Sequence, residues 1–418
     1  MTLQRSKTPL FFFAYILFMI ATVLQTTMYT EMAVVPQLFI AMRYAAFVLA
    51  AVKVLWDLND DRKAARGDRE KLRDWASVVL KYIVLAALAV AVSVTADERS
   101  LAFLLVLLLA ARGVGTDDIF RVTLWLQIGL MAFIFLSAAT GLVADLIFER
   151  GGVFNRHSLG YWFPSYIMSY YFFILLLLFW TGKQPMKWTT IVLLGAFNLL
   201  LFLLTDARLG LMVNTLLIGV ELLRSIGPAR EKLHGIADRL LEKKGFGTVL
   251  RWGWRLLPEL LVSYLALLFL FPMSKLAYYT DYILSNRIYY AYMGVQKYGI
   301  HLLGNPIEWV GYGAQTDMFS VEKTYNFVDC AYIFVLLNFG LIVFLGMLFG
   351  MFRVSVWLGK SGSLHRCFLY GIIFIYCFVE PRILELNMNT FLFLLSPLLT
   401  QPPYLRLRQK QRQTEKTS

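Results

Sequence analysis

The sequence predicts an all-α, polytopic membrane protein, on three observations. Of its 418 residues, 59% are hydrophobic and only 16% charged. Mean hydropathy is +0.62, well outside the range of a water-soluble globular domain. Apolar stretches recur between short polar breaks, and a hydrocarbon core about 30 Å thick takes roughly 20 such residues to cross as a helix.

The expected spans are 9–28, 36–56, 76–95, 100–114, 121–143, 163–181, 188–204, 208–223, 257–273, 329–351, 367–380 and 383–400, about twelve in all. The stretches 100–114, 367–380 and 383–400 are short or tightly coupled, and a re-entrant segment is an alternative there. The first stretch, "PLFFFAYILFMIATVLQ", follows Arg5 and Lys7 but lacks a small-x-small cleavage site, so it reads as a retained helix. The whole chain, 1–418, then forms one integral membrane domain, with 274–328 as a large, Tyr-rich external loop.

A net charge of +13 would suggest nucleic acid in a soluble protein, but here the cations sort by membrane side. Arg62, Lys63, Arg66, Arg69, Lys71 and Arg73 crowd into 57–75, a second set into 224–256 and a third into the tail after 401. Twelve spans place all three on the N-terminal side. Both termini are then cytoplasmic, and no nucleic-acid partner is expected. On the same side, the acidic runs "LNDDR" and "GTDDI" read as solvated loop ends.

Cys330, Cys367 and Cys377 lie in or beside spans, so no disulfide framework is expected. His157, His234, His301 and His365 are far apart in sequence, so a metal-independent site with no cofactor is expected.

Ionisable groups gather at span ends on the opposite side: Arg156 and His157, Asp206 and Arg208, Arg287 and His301, Asp329, and Glu380 with Arg382. Arg43 joins them from within the second span. Charge at this depth is costly unless it is paired, solvated or functional. Converging guanidinium groups suit a phosphate or diphosphate ligand, and His157, Asp206 or Asp329 offers a general base. Plainer roles exist for each: Arg156 and Arg43 as snorkelling anchors, Asp206 and Arg208 as partners of each other, and His157 as a member of an interfacial aromatic belt.

"NRHSLGYWFPSY", then "LLTDARLGL", then "GYGAQTD" and "NFVDCAYIFVLLNFGLI" after the large loop, together resemble the bacterial O-antigen and capsular polysaccharide polymerases, the Wzy-type family. The match rests on Arg156, Ser158, Gly160 and Pro164, on Arg208, and on Gly311, Gly313, Asp329, Tyr332 and Gly340. Ser165 and Cys330 stand where that family commonly has Asn.

The resemblance implies a GT-C-like fold and a membrane glycosyltransferase for capsule, exopolysaccharide or O-antigen. Such an enzyme joins undecaprenyl-diphosphate-linked repeat units at the outer leaflet, alongside a flippase and a chain-length regulator. Together with the charged groups at the span ends, it leaves His157, Asp329 and Asp206 as catalytic candidates. Arg156, Arg208, Arg43, Arg287, Tyr332 and His301 are then the diphosphate- and glycan-binding candidates. An O-antigen ligase, favoured by His301 ahead of Gly311 and Gly313, and a lipid-linked oligosaccharide flippase are the alternatives.

Overall fold

The computed structural model describes residues 7–148, 155–182, 184–242, 245–311, 325–361 and 363–400. Helices dominate it. α1 (Thr8–Leu24) and α2 (Val35–Ala64) each carry a proline in the first turn, Pro9 and Pro36, where its missing N–H costs nothing. α3 (Arg69–Thr95) is capped by Asp68, whose side chain accepts the N–H groups of Glu70 and Lys71. α4 (Ser100–Ala110) and α5 (Thr116–Ala139) follow, and then a two-stranded hairpin of β1 (Ile147–Phe148) and β2 (Arg156–His157). After it come α6 (Ser165–Thr181), α7 (Trp188–Thr205), α8 (Arg208–Ser225), α9 (Gly227–Glu242), α10 (Phe246–Arg255) and α11 (Leu257–Leu270). The chain continues through α12 (Lys275–Ile283), α13 (Arg287–Tyr298), α14 (Ala331–Asn338), α15 (Gly340–Lys360) and α16 (Leu364–Tyr376). A 3-10 turn at Thr390–Leu395 leads into α17 (Ser396–Thr400).

Five helices among the described residues, α2, α3, α5, α7 and α15, are long and apolar enough to cross a membrane. A sixth span exists if α10 and α11, which meet at 76°, count as one. α1, α4, α6, α16 and Thr390–Thr400 are apolar but shorter. Val48, Leu55, Leu80, Val94, Leu193 and Leu203 are all exposed, an arrangement that lipid tolerates and water does not. α6 is the opposite case: nearly every residue from Ile167 to Trp180 is buried, as an all-round apolar helix at the centre of a bundle must be.

Polar contacts sort the helix ends into two sets. At one end Lys7 meets Asp57 and Asp60, Arg112 pairs with Asp61, Arg366 approaches Asp117, and His365 pairs with Glu221. At the other, Gln25 meets Arg43, Tyr29 meets Ser137, and Arg156 meets the Thr205 carbonyl. The helices carrying these contacts run alternately up and down between two charged ends.

Three expectations are corrected. "LNDDR" is no loop end: it lies in the last turns of α2, where Asp57, Asp60 and Asp61 are ion-paired. The stretch 329–351 is not one helix, because it breaks between α14 and α15 and runs on to Lys360. The stretch 383–400 begins as irregular chain, with helix resuming only at Thr390. Of the basic clusters, the tail after 401 lies outside the described residues, as does Gly313 of the resembling motif. Cys330, Cys367 and Cys377 are free thiols, all buried.

Candidate functional site

The hairpin before α6 sets the first group of polar side chains. Pairing of Ile147 with His157 and of Phe148 with Arg156 brings Asp145 beside the imidazole. Asp145 Oδ2 lies 2.6 Å from His157 Nδ1, and its Oδ1 accepts the Leu159 N–H at 2.7 Å. The carboxylate thereby fixes both the ring and the turn that follows. That turn needs Gly160: its φ is +86°, and a Cβ there would sit 3.1 Å from Ile134 and 3.2 Å from Ala138 on α5.

Arg156 Nε donates to the Thr205 carbonyl at 3.0 Å, and its guanidinium lies 5.4 Å from the Phe163 ring centroid. Thr205 ends α7, and the next residue, Asp206, turns the chain in the left-handed region at φ 45°. Asp206 accepts from Arg208 Nε at 3.1 Å, while the Arg208 side chain remains 68% exposed. Arg156, Asp206 and Arg208 are therefore gathered at one corner of the bundle.

A second group forms where α13, α14 and the chain after α16 meet. Arg287 approaches Asp329 at 3.5 Å and donates to the Val379 carbonyl. Next in the chain, buried Glu380 accepts from Arg382 Nε at 2.6 Å and from Ser169 Oγ at 2.6 Å, and Tyr376 donates to Ser169. Arg382 lies 3.8 Å from the centroid of Tyr166, which belongs to the first turn of α6. Since Phe163 faces Arg156 three residues earlier, the start of α6 joins the two groups.

Two carboxyl groups in these irregular segments are held above the usual carboxylate range. Burial raises Asp329, with the Arg287 charge opposing it. Burial pushes Glu385 up to about 7; Arg382 and Arg43 oppose this shift, and Glu380 and Glu98 add to it. An acid poised near neutrality among charges of both signs suits proton transfer.

The structure thus brings Arg156, His157, Asp206 and Arg208 into one group and Arg287 and Asp329 into its neighbour. Arg43 reaches the second group only through the field it shares with Glu385. Tyr332 stands apart: it is fully buried, and its hydroxyl donates to the Phe374 carbonyl at 2.9 Å. His301 is exposed on the loop, near the Tyr298 carbonyl. Sequence reading missed Asp145, Tyr166 and Glu385. Glu385 had left a signal, a charge inside an apolar stretch.

No group of three or more His, Cys, Asp or Glu among the described residues is placed to hold a metal ion. The arrangement offers guanidinium groups for anionic oxygens and carboxylates for proton exchange, at one end of a helical membrane bundle. No family model, curated protein or solved structure matches the chain.

Proposed function

We propose that the chain is a membrane glycosyltransferase that polymerises undecaprenyl-diphosphate-linked repeat units. It crosses the cytoplasmic membrane about twelve times, and the Arg156 end faces out. The observation that carries this reading is the gathering of Arg156, Arg208, Arg287 and Arg382 with His157, Asp329 and Glu385 at one end of the bundle. Basic loops at the other end support the orientation, since Lys and Arg in short loops stay cytoplasmic. The shorter apolar helices count as spans in this reading, and the resemblance in sequence names the substrate class.

In the reaction, a hydroxyl oxygen of the new repeat unit attacks the anomeric carbon of the growing chain. The bond from that carbon to the lipid diphosphate breaks, and the diphosphate leaves with the electron pair. Arg156, Arg208 and Arg287 neutralise the departing charge through bidentate hydrogen bonds. His157 takes the hydroxyl proton on Nε2, because Asp145 holds Nδ1 and so orients the ring with the other nitrogen as acceptor.

Deleting the gene should leave single repeat units on the outer leaflet in place of long chains. Arg287→Ala and His157→Ala should fail to restore polymer on gel analysis of the surface glycan, whereas Arg62→Ala, at the other end, should restore it. Long chains in the deletion strain, or wild-type chains in both variants, would overturn the reading.

A further inference from the structure

A pocket of ≈ 340 Å³ opens between α2 and the turn that joins α3 to α4, at the same end of the bundle. Arg43, Tyr44, Asp97, Glu98, Arg99 and Phe103 line it. Arg43 Nη1 donates to Gln25 Oε1 at 2.9 Å, and the guanidinium sits 4.8 Å from the Phe103 ring centroid. Its Nε is buried and has no hydrogen-bond partner among the described residues.

The chemistry of the lining selects the ligand. Arg43 and Arg99 bring two positive charges, and Asp97 and Glu98 bring two negative ones. A diphosphate would gain the first pair and be repelled by the second. A sugar ring is different, because each hydroxyl both donates and accepts and so uses carboxylates and guanidinium groups together. Tyr44, exposed and braced edge to face at 5.6 Å on the buried Phe103, adds aromatic surface for the C–H face of the ring. At the small end of the roughly 300–1,000 Å³ span of ligand pockets, the volume suits a sugar rather than a lipid tail.

Position agrees with this choice. Thr95 Oγ1 donates to the Leu303 carbonyl at 2.7 Å, which seats the large loop beside the pocket. Arg43 meets Gln25 at the end of the bundle that carries Arg156, so the pocket opens at the same end as the site.

We propose that this pocket is a saccharide subsite that holds an uncharged sugar ring of the acceptor repeat unit while its hydroxyl reaches the reacting centre. The inference rests on the polymerase reading above and adds a place for the second substrate. It distinguishes glycan recognition, at Arg43, Asp97 and Glu98, from diphosphate recognition at Arg156, Arg208 and Arg287.

The test uses the full-length protein in lipid nanodiscs, with two probes followed by calorimetry. One is the repeat-unit oligosaccharide released by mild acid from the lipid carrier of the deletion strain; the other is inorganic diphosphate. The isosteric double variant Asp97→Asn, Glu98→Gln should weaken oligosaccharide binding by about tenfold or more, as expected for losing charge-assisted hydrogen bonds, and leave diphosphate binding unchanged. Arg287→Ala should do the reverse. In cells, the double variant should give shorter chains than wild type at equal protein level, with a matching elution profile in detergent.

Unchanged oligosaccharide affinity in the double variant overturns the subsite. So does loss of diphosphate binding in Arg99→Ala, which would make the pocket an anion site. The polymerase reading fails separately, if the deletion strain keeps its long chains; polymer lost on deletion and fully restored by the double variant sinks the subsite alone.

Discussion

Among single residues, Glu385 gives the clearest pH signature. Its carboxyl titrates near 7 in the folded protein, against an ordinary value of 4.5. The sign follows from proton binding: between these values the folded state holds more protons than the unfolded one, so stability falls as pH rises. This contribution is complete below about 4.5, lost by stages up to about 7 and flat above it. Glu385→Gln, which cannot ionise, should therefore flatten the dependence of Tm on pH between 5 and 8 in detergent. An unaltered slope in the variant would show that another group titrates there. At the opposite end, Asp57 bridges Lys7 at 3.0 Å and Lys53 at 2.8 Å, and the Lys53 side chain is only 2% exposed. Asp57→Ala would leave Lys53 buried without its carboxylate, and such breaks cost about 3–5 kcal/mol. Thermal unfolding should show a large drop in Tm for this variant and a clearly smaller one for Asp68→Ala, which loses an exposed pair with Lys71 and the α3 cap, about 1 kcal/mol.

Between the elements, the break separating α14 from α15 is held by two glycines in backbone contact. Gly304 has φ +85° and Gly340 φ +86°, and a Cβ on Gly340 would lie 2.3 Å from the Gly304 nitrogen. No side chain fits there. The N–H groups of Leu341 and Ile342, unpaired by position at a helix start, donate to the carbonyls of His301 and Leu302 at 2.8 and 3.2 Å. The large loop is thereby fastened to the broken helix, next to the site. Gly340→Ala combines a left-handed backbone with that overlap and should cost about 2 kcal/mol or more. Limited proteolysis should then cut the loop faster in the variant than in wild type; equal rates would mean that the loop is held elsewhere. Hydropathy alone read 329–351 as a continuous span, because an apolar run carries no mark of where its hydrogen-bond ladder stops. The irregular chain after α16 had left more to read: Pro381, Asn387 and Asn389 punctuate an apolar stretch. Asn389 donates to the Ile383 carbonyl, and the Asn387 carbonyl accepts from Gln127, so side-chain amides satisfy backbone that no helix can. The Asp145–His157 pair was not legible at all, since its twelve-residue separation becomes a contact only through hairpin register.

For the molecule as a whole, alternation of helix direction is the feature that every functional statement depends on. Apolar runs and basic loops in the sequence were enough to anticipate two charged ends, although they overstate how many helices are long enough to span by themselves. The contacts that define those ends join residues far apart in sequence: Lys7 with Asp60 at 2.6 Å at one, and Arg156 with the Thr205 carbonyl at 3.0 Å at the other. α2 reaches from one set to the other, with Arg43 near its start and Asp57 to Asp61 near its finish. Its 30 residues, at roughly 1.5 Å each, rise about 45 Å, enough to cover the hydrocarbon core and reach both head-group layers. In the proposed orientation Arg62 and Arg208 face different compartments. Single cysteines at these positions, in a background with Cys330, Cys367 and Cys377 changed to Ser, should separate under a membrane-impermeant maleimide applied to intact cells. Position 208, whose native side chain is 68% exposed, should label at once, and position 62 only after the membrane is opened. The reverse order would invert the protein and place the arginine groups in the cytoplasm, where a substrate on the outer leaflet cannot reach them. Labelling of both positions in intact cells would remove the alternation itself, and with it the common face that Arg156, Arg208, Arg287 and Arg382 share.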